Sequence, residues 1–288
     1  MQLRYAYNTN GAANHRLDDA LELIADNGYD GVALTLDHHH FDPFETDFGR
    51  RAELLNDKLE KLSLGLVIET GARFLLDPRR KHRPTLLSPF PEGRQKRVEF
   101  LKLAIDLAAV ARAEAVSFWA GVPETEISNQ QAHEFLRDGL RQICEYAESR
   151  NVCLAFEPEP GMLIETVADY KTLKRDFPRL KLALDTGHCL ASDECEPENA
   201  VREMREDIGT VAVEDMRRGV HEHLFFGEGE MNMPNVLQAL HEIKYEKLVC
   251  VELSRHSHCA DQIIPAAIEF LRRTERELNL QSSFRVHA

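Results

Sequence analysis

The 288-residue sequence predicts a single α/β domain over its full length, residues 1–288, built as a (β/α)8 TIM barrel. Three observations predict it. Eight short β-rich runs occur, and their near-continuous apolar character suits parallel strands covered on both faces. Each run is followed by an amphipathic, helix-like stretch. Each run also ends in polar residues, at the edge where such barrels carry their chemistry.

In order, the first run covers 4–7 and ends in Asn8-Thr9-Asn10. A helix over 17–27 follows, with Leu17, Leu21, Ile24 and Ala25 on one face and Gly28 placed to cap it. The second run, 31–36, ends in Asp37 and three histidines, His38, His39 and His40; a helix over 51–62 comes next. The third, 65–68, ends in Glu69-Thr70-Gly71. The connection that follows, 71–94, is the longest, broken by Pro78, Pro84, Pro89 and Pro91. Arg73, Arg79, Arg80, Lys81, His82 and Arg83 make it the most basic piece of the chain. It is too long for a simple turn and reads either as a solvated excursion or as a loop that clamps an anion. A helix over 97–111, a run over 115–119 ending at Trp119-Ala120-Gly121, and a helix over 131–149 come next. The fifth run, 152–156, leads into Glu157-Pro158-Glu159 and a helix over 166–176. The sixth, 180–184, leads into Asp185-Thr186-Gly187-His188 and a helix over 199–206. The seventh, 210–213, leads into Glu214-Asp215, Arg217-Arg218, His221-Glu222-His223 and Gly227-Glu228-Gly229 before a helix over 236–243. The eighth, 248–253, carries Glu252 and precedes Ser254-Arg255-His256 and a helix over 263–278.

Composition narrows the function. A net charge of -14 gives no long-range help in approaching phosphate backbones, so nucleic-acid binding is not expected. No signal-like segment and no bilayer-length apolar run is visible, so the expected location is the cytoplasm. None of the six cysteines forms a Cys-x-x-Cys pair, several lie in apolar runs, and no disulfide framework is expected.

Glu157, Asp185 and Glu252 end apolar strands, where a barrel rim brings them together. Three clustered carboxylates repel one another unless a cation neutralises them. A divalent ion held by oxygen and imidazole ligands is the economical answer; pairing with Arg217, Arg218 or Arg255 is the alternative. His188 lies three residues after Asp185, within reach of the same centre. His221 and His223 are two apart, so in extended chain both imidazoles aim to one side; the plain alternative is a pair of solvated loop histidines. Of the histidines at 38–40, one, taken as His38, is expected to line the pocket, since three successive residues cannot all face one ion.

These residues together resemble the xylose isomerase-like TIM-barrel superfamily, which includes sugar and sugar-phosphate isomerases and epimerases and the apurinic-site endonucleases. The matches are Glu157 after the fifth strand, the D-T-x-H turn (Asp185, His188), the H-L-x-x-G-E-G segment from His223 to Gly229, and Glu252. The resemblance implies Glu157, Asp185 and Glu252 as metal ligands. The epimerases usually add a strand-seven histidine in an H-x-x-D/E pattern, and Ala212 stands at that place. The endonucleases hold a peripheral zinc through the D-T-x-H histidine and an Asp-x-His pair; His188, His221 and His223 match, with histidine in place of aspartate.

The resemblance therefore implies an enzyme that uses a divalent metal ion (Mn, Mg or Zn) on a small sugar, polyol or sugar phosphate. Glu157 and Glu252 would move protons through an enediolate. His188, Arg218, Glu159 and His38 would contact substrate oxygens, and Arg73 a phosphate or carboxylate. Related barrels are often dimers, so the resemblance allows a homodimer, while the sequence itself does not disclose the oligomeric state. Two other functions are weighed: zinc-dependent phosphoester hydrolysis through His188, His221 and His223, and a non-catalytic metabolite-binding barrel, to which Ala212 lends support.

Overall fold

Strands buried on both faces leave no edge when the sheet closes on itself, and this one does. In the computed structural model, which describes residues 2–286, the barrel strands are β1 (Arg4–Asn8), β2 (Gly31–Thr35), β3 (Gly65–Glu69), β4 (Val116–Phe118), β5 (Leu154–Phe156), β6 (Lys181–Asp185), β7 (Ile208–Val213) and β10 (Leu248–Val251). All eight pair in parallel, and β1 joins both β2 and β10 to close the ring. The expected single barrel is therefore the observed fold. A feature not expected is a separate antiparallel hairpin after β7, made of β8 (Asp215–Arg217) and β9 (Val220–Leu224).

Helices cover the outside of the barrel. They are α1 (Leu17–Asp26), α2 (Phe48–Leu62), α3 (Pro91–Ala111), α4 (Asn129–Arg150), α5 (Val167–Lys174), α6 (Thr186–Ala191), α7 (Pro197–Glu203), α8 (Met233–Glu242) and α9 (Ala260–Val286). Gly28, with φ of +79°, takes the left-handed turn just past α1. α3 begins six residues before the expected 97, because Pro91 occupies its first turn, where a missing N–H costs nothing. α4 is held at its start by reciprocal Ser128 and Gln131 hydrogen bonds. The D-T-x-H segment, expected as a turn, is the start of α6: the Asp185 carboxylate accepts from the amides of Gly187 and His188.

Strand periodicity separates two cores. Outward-facing Tyr5, Tyr7, Leu34, Phe118, Phe156 and Leu182 pack into the main cluster under the helices. Inward-facing positions hold small residues: Ala6, Ala33, Val67 and Cys250 in one cluster, and Ala115, Ala155 and Ala183 in another. Two residues further along each strand or its extension stand Asn8, Thr35, Glu69, Ser117, Glu157, Asp185, Ala212 and Glu252. Side chains two apart share a face, so these eight form the next ring up, at the C-terminal mouth. The lower ring packs and the upper ring is polar, with Ala212 its one apolar member.

Two connections shape the mouth. The 71–94 loop is strapped down by Arg80 and Arg83, which both bridge to Glu124 at 3.1 and 2.8 Å, and by Lys96 Nζ donating to the Leu76 carbonyl at 2.6 Å. The hairpin turns at Gly219 (φ +72°) and lays His221 and His223 along one face of β9. Among the described residues no helix is long and apolar enough to cross a membrane.

Candidate active site and metal centre

A cavity of about 610 Å³ opens above the upper ring, within the usual range for small-molecule sites. Its floor is Glu69, Glu157 and Glu252; one wall is His188, His221 and His223; the opposite rim is the 71–94 loop. Asp185 is buried at the base, with 3% of its surface exposed.

Each floor residue is aimed by its neighbours. Asn10 Nδ2 donates to Glu252 Oε1 at 2.9 Å, fixing that carboxylate over β1. Asp185 Oδ1 accepts from Gly187 and His188 amides at 2.9 and 3.2 Å, which leaves Oδ2 buried without a hydrogen-bond partner. His188 Nδ1 lies 3.0 Å from the Pro158 carbonyl oxygen. That bond requires the proton on Nδ1 and turns Nε2 toward Asp185 Oδ2 (3.5 Å) and His221 Nε2 (3.1 Å). Glu159 stands 3.8 Å from both His188 and His221.

Ala212 lies beside Asp185 in the β6–β7 register and beside Cys250 in the β7–β10 register. No ligand atom comes from β7 at this level. The hairpin brings His223 near instead: atoms of Asp185, His223 and Glu252 that could hold a metal lie within 4.8 Å of one another. The same holds for Glu157, Asp185 and His188, and for His188, His221 and His223.

The electrostatics reflect negative charge crowded at a buried site. Burial first, and then Glu159, Glu252 and Asp185, push the Glu157 carboxyl well above its usual range. Burial and then Glu252 raise Glu69 to about 7. Burial opposes a charge on His188, yet Asp185 and Glu159 outweigh it and raise its pKa. Burial, with His188 and His223 beside it, pushes His221 down to about 4, so that this ring is neutral and free to ligate. An unpartnered Asp185 oxygen, three crowded carboxylates and convergent imidazole nitrogens fit a divalent cation.

Of the residues expected from sequence, Glu157, Glu159, Asp185, His188, His221, His223, Glu252 and Arg73 meet at this cavity or its base. Two do not. Arg218 sits at the hairpin tip, where its guanidinium bridges Asp193 and Glu196 at 2.8 and 2.6 Å, turned away from the mouth. His38 Nδ1 donates to the Asp37 carboxylate at 2.8 Å and its ring lies tilted against His39, with 61% of its side chain exposed outside the cavity. Local carboxylates decide both directions, and sequence spacing does not reveal them.

Several site residues were not singled out from sequence. Glu69 was visible as a strand end yet stands in the floor. Glu214 is fully buried with both oxygens unpartnered, 4.0 Å from His223 Nδ1. Burial and then Asp185 hold its carboxyl well above the usual range. Gly187 makes room for it, since a Cβ there would meet Glu214 Oε1 at 2.1 Å. Asp215 is structural: its oxygens accept from the amides of Met216, Gly227 and Met231 and pin the return of the hairpin.

Comparisons with known proteins agree with this geometry. Over 234 residues the chain is 25% identical to the L-ribulose-5-phosphate 3-epimerase UlaE of Escherichia coli O1:K1 / APEC, covering 79% of this chain and 78% of that one. The structure of D-allulose 3-epimerase from Methylomonas sp. in complex with D-allulose superposes with a TM-score of 0.75 at 17% identity, over 95% of this chain and 97% of that one. The IOLI protein with a bound zinc atom superposes with a TM-score of 0.72 at 16% identity, over 96% and 98%. At these identities the two structures establish the fold alone. The family model described as "Xylose isomerase-like TIM barrel" matches residues 21–274, nearly the whole barrel, and the chain belongs to that family.

Proposed function

We propose that the chain is a divalent-metal-dependent sugar epimerase or isomerase acting on a small sugar, polyol or sugar phosphate. The observation that carries this reading is the upper ring: Glu157, Asp185 and Glu252 converge under a histidine wall, with the Asp185 Oδ2 atom buried and unpartnered. The relationship to an L-ribulose-5-phosphate 3-epimerase supports the same reaction class.

Asp185, Glu157 and Glu252 would hold the cation, with His188 and His223 completing the donors. His223 then stands in for the histidine that Ala212 lacks. Bound there, a divalent ion would supply Lewis acidity toward a carbonyl and its adjacent hydroxyl, which acidifies the carbon-bound proton. Glu157 and Glu252 rise from β5 and β10, on either side of β6 and β7. One carboxylate takes the proton from one face of the substrate carbon, and the other returns a proton to the opposite face of the enediolate, which inverts the centre. Asn10 holds Glu252 in position, and Glu159 and His188 receive substrate hydroxyls.

The test is hydrogen exchange at the substrate carbon, followed by NMR in D2O with ketopentoses and their 5-phosphates. Exchange should require added Mn2+ or Mg2+ and stop with chelator. It should also stop in Glu252→Gln while the melting temperature is kept. Full activity of Glu252→Gln on its substrate would sink the acid–base assignment.

The His188–His221–His223 group favours a second reading, zinc-assisted hydrolysis of a phosphoester. Metal analysis separates the two. One oxygen-rich ion fits epimerisation; two ions including zinc, with phosphodiester cleavage, fit hydrolysis.

A further inference from the structure

The cations of the 71–94 loop divide into two groups. Arg80 and Arg83 are committed to Glu124, and Arg80 also to Asp77. Arg73 and Lys81 face the cavity instead. Among the described residues neither has a carboxylate within 4.0 Å, and the Arg73 guanidinium makes one hydrogen bond, from Nη2 to the Asn10 carbonyl at 3.3 Å. Arg255, a third cation in the lining, is tied to Glu222.

His82 lies beside these cations. Its Nδ1 is bonded to the Gly71 carbonyl at 2.8 Å, and its ring meets the edge of Trp119 at 5.6 Å. Burial first, then Lys81, Arg97 and Arg73, push it down to about 4. With Arg73 and Lys81 lacking carboxylate partners, the rim carries positive charge in a chain whose net charge is -14. It faces a floor of carboxylates and a wall of histidines across one cavity.

We infer that the cavity takes a phosphorylated sugar whose phosphate sits between Arg73 and Lys81, with its carbonyl end toward Glu157, Asp185 and Glu252; this rests on the epimerase reading above. The arginine fork and the lysine point charge suit phosphate oxygens. Two unpaired cations balance a phosphate dianion, whereas a sugar carboxylate would leave one uncompensated.

Trp119 is the chain's only tryptophan and lines this cavity, so its fluorescence reads binding at one place without turnover. Metal-loaded protein is titrated with L-ribulose 5-phosphate, L-ribulose, a sugar carboxylate and inorganic phosphate. The phosphate ester should bind about a hundredfold tighter than the free ketose, roughly tenfold for each charge-assisted contact. Inorganic phosphate should compete with it, and raised salt should narrow the gap. In Arg73→Ala/Lys81→Ala the preference should collapse toward parity. Lys81 is exposed, so Lys81→Ala alone should fold and lose about tenfold of the preference. Equal affinity for both ketoses, tighter binding of the sugar carboxylate, or equal loss for both ketoses in Lys81→Ala would overturn the proposal. A chain that prefers the phosphate ester but exchanges no carbon-bound proton keeps this subsite and loses the epimerase reading. A chain that exchanges the proton without preferring the ester does the reverse.

Discussion

The lower and upper rings of the barrel interior lie two residues apart on the same strands, yet they obey opposite rules. Below, Ala33, Ala155 and Ala183 fill the lumen with small apolar groups, and the one hydroxyl at this level, Thr210, lies 3.8 Å from the Cys250 sulfur. Above, Thr35, Glu157 and Asp185 take the same inward direction and crowd oxygens together. Crowded carboxylates cost folding energy, and burial first, then the neighbouring carboxylates, push the Glu157 carboxyl well above its usual range. The difference shows that stability and chemistry can be allotted to successive levels of one strand set. Each level should then respond differently to substitution.

The largest effect is expected in the upper ring. Glu157→Gln or Glu252→Gln should lower turnover by about 10²–10⁴-fold, the range for a positioned acid or base, with no loss of melting temperature. Steady-state kinetics beside thermal melts checks this, and a large fall in melting temperature would blur the division between the rings. Next comes the hairpin substitute for the missing strand ligand. His223→Ala should weaken divalent-metal affinity by at least about tenfold, since even groups that only orient a ligand cost about 10–100-fold. Adding Ala212→His should recover part of it; calorimetric titration gives both numbers. If His223→Ala binds metal as tightly as the parent chain, the hairpin is not part of the centre.

Effects in the lower ring should be thermodynamic. Ala183→Leu overfills a tightly packed layer and should cost about 1–3 kcal/mol in urea unfolding, with metal affinity changing less than in His223→Ala. The smallest effect belongs outside both rings. Arg218→Ala removes exposed ion pairs to Asp193 and Glu196 and should leave melting temperature and kinetics within error. A marked KM change there would return Arg218 to the substrate site.

Much of this arrangement is legible without coordinates. Apolar runs bounded by polar residues mark all eight barrel strands to within a few residues, because a strand buried on both faces has little compositional choice. Glu157, Asp185 and Glu252 stand out because a carboxylate ending such a run has few structural uses. His221 and His223 are legible as a pair facing one side, although the hairpin that carries them is not. Glu69 ends the third apolar run in the same way and is legible by the same criterion. Glu214 escapes because nothing local says that its side chain turns inward behind His223.

The sequence by itself determined the barrel, the order of its strands and the set of strand-end carboxylates. Periodicity and burial are one-dimensional signals, and they survive without knowledge of neighbours. The tertiary structure alone decided which side chains converge. It brings His223 within reach of Asp185 and Glu252, binds Arg218 and His38 to nearby carboxylates, and leaves Arg73 and Lys81 without carboxylate partners at the rim. Those outcomes depend on distances between segments far apart in the chain, where a charge goes to whichever partner the fold brings within reach.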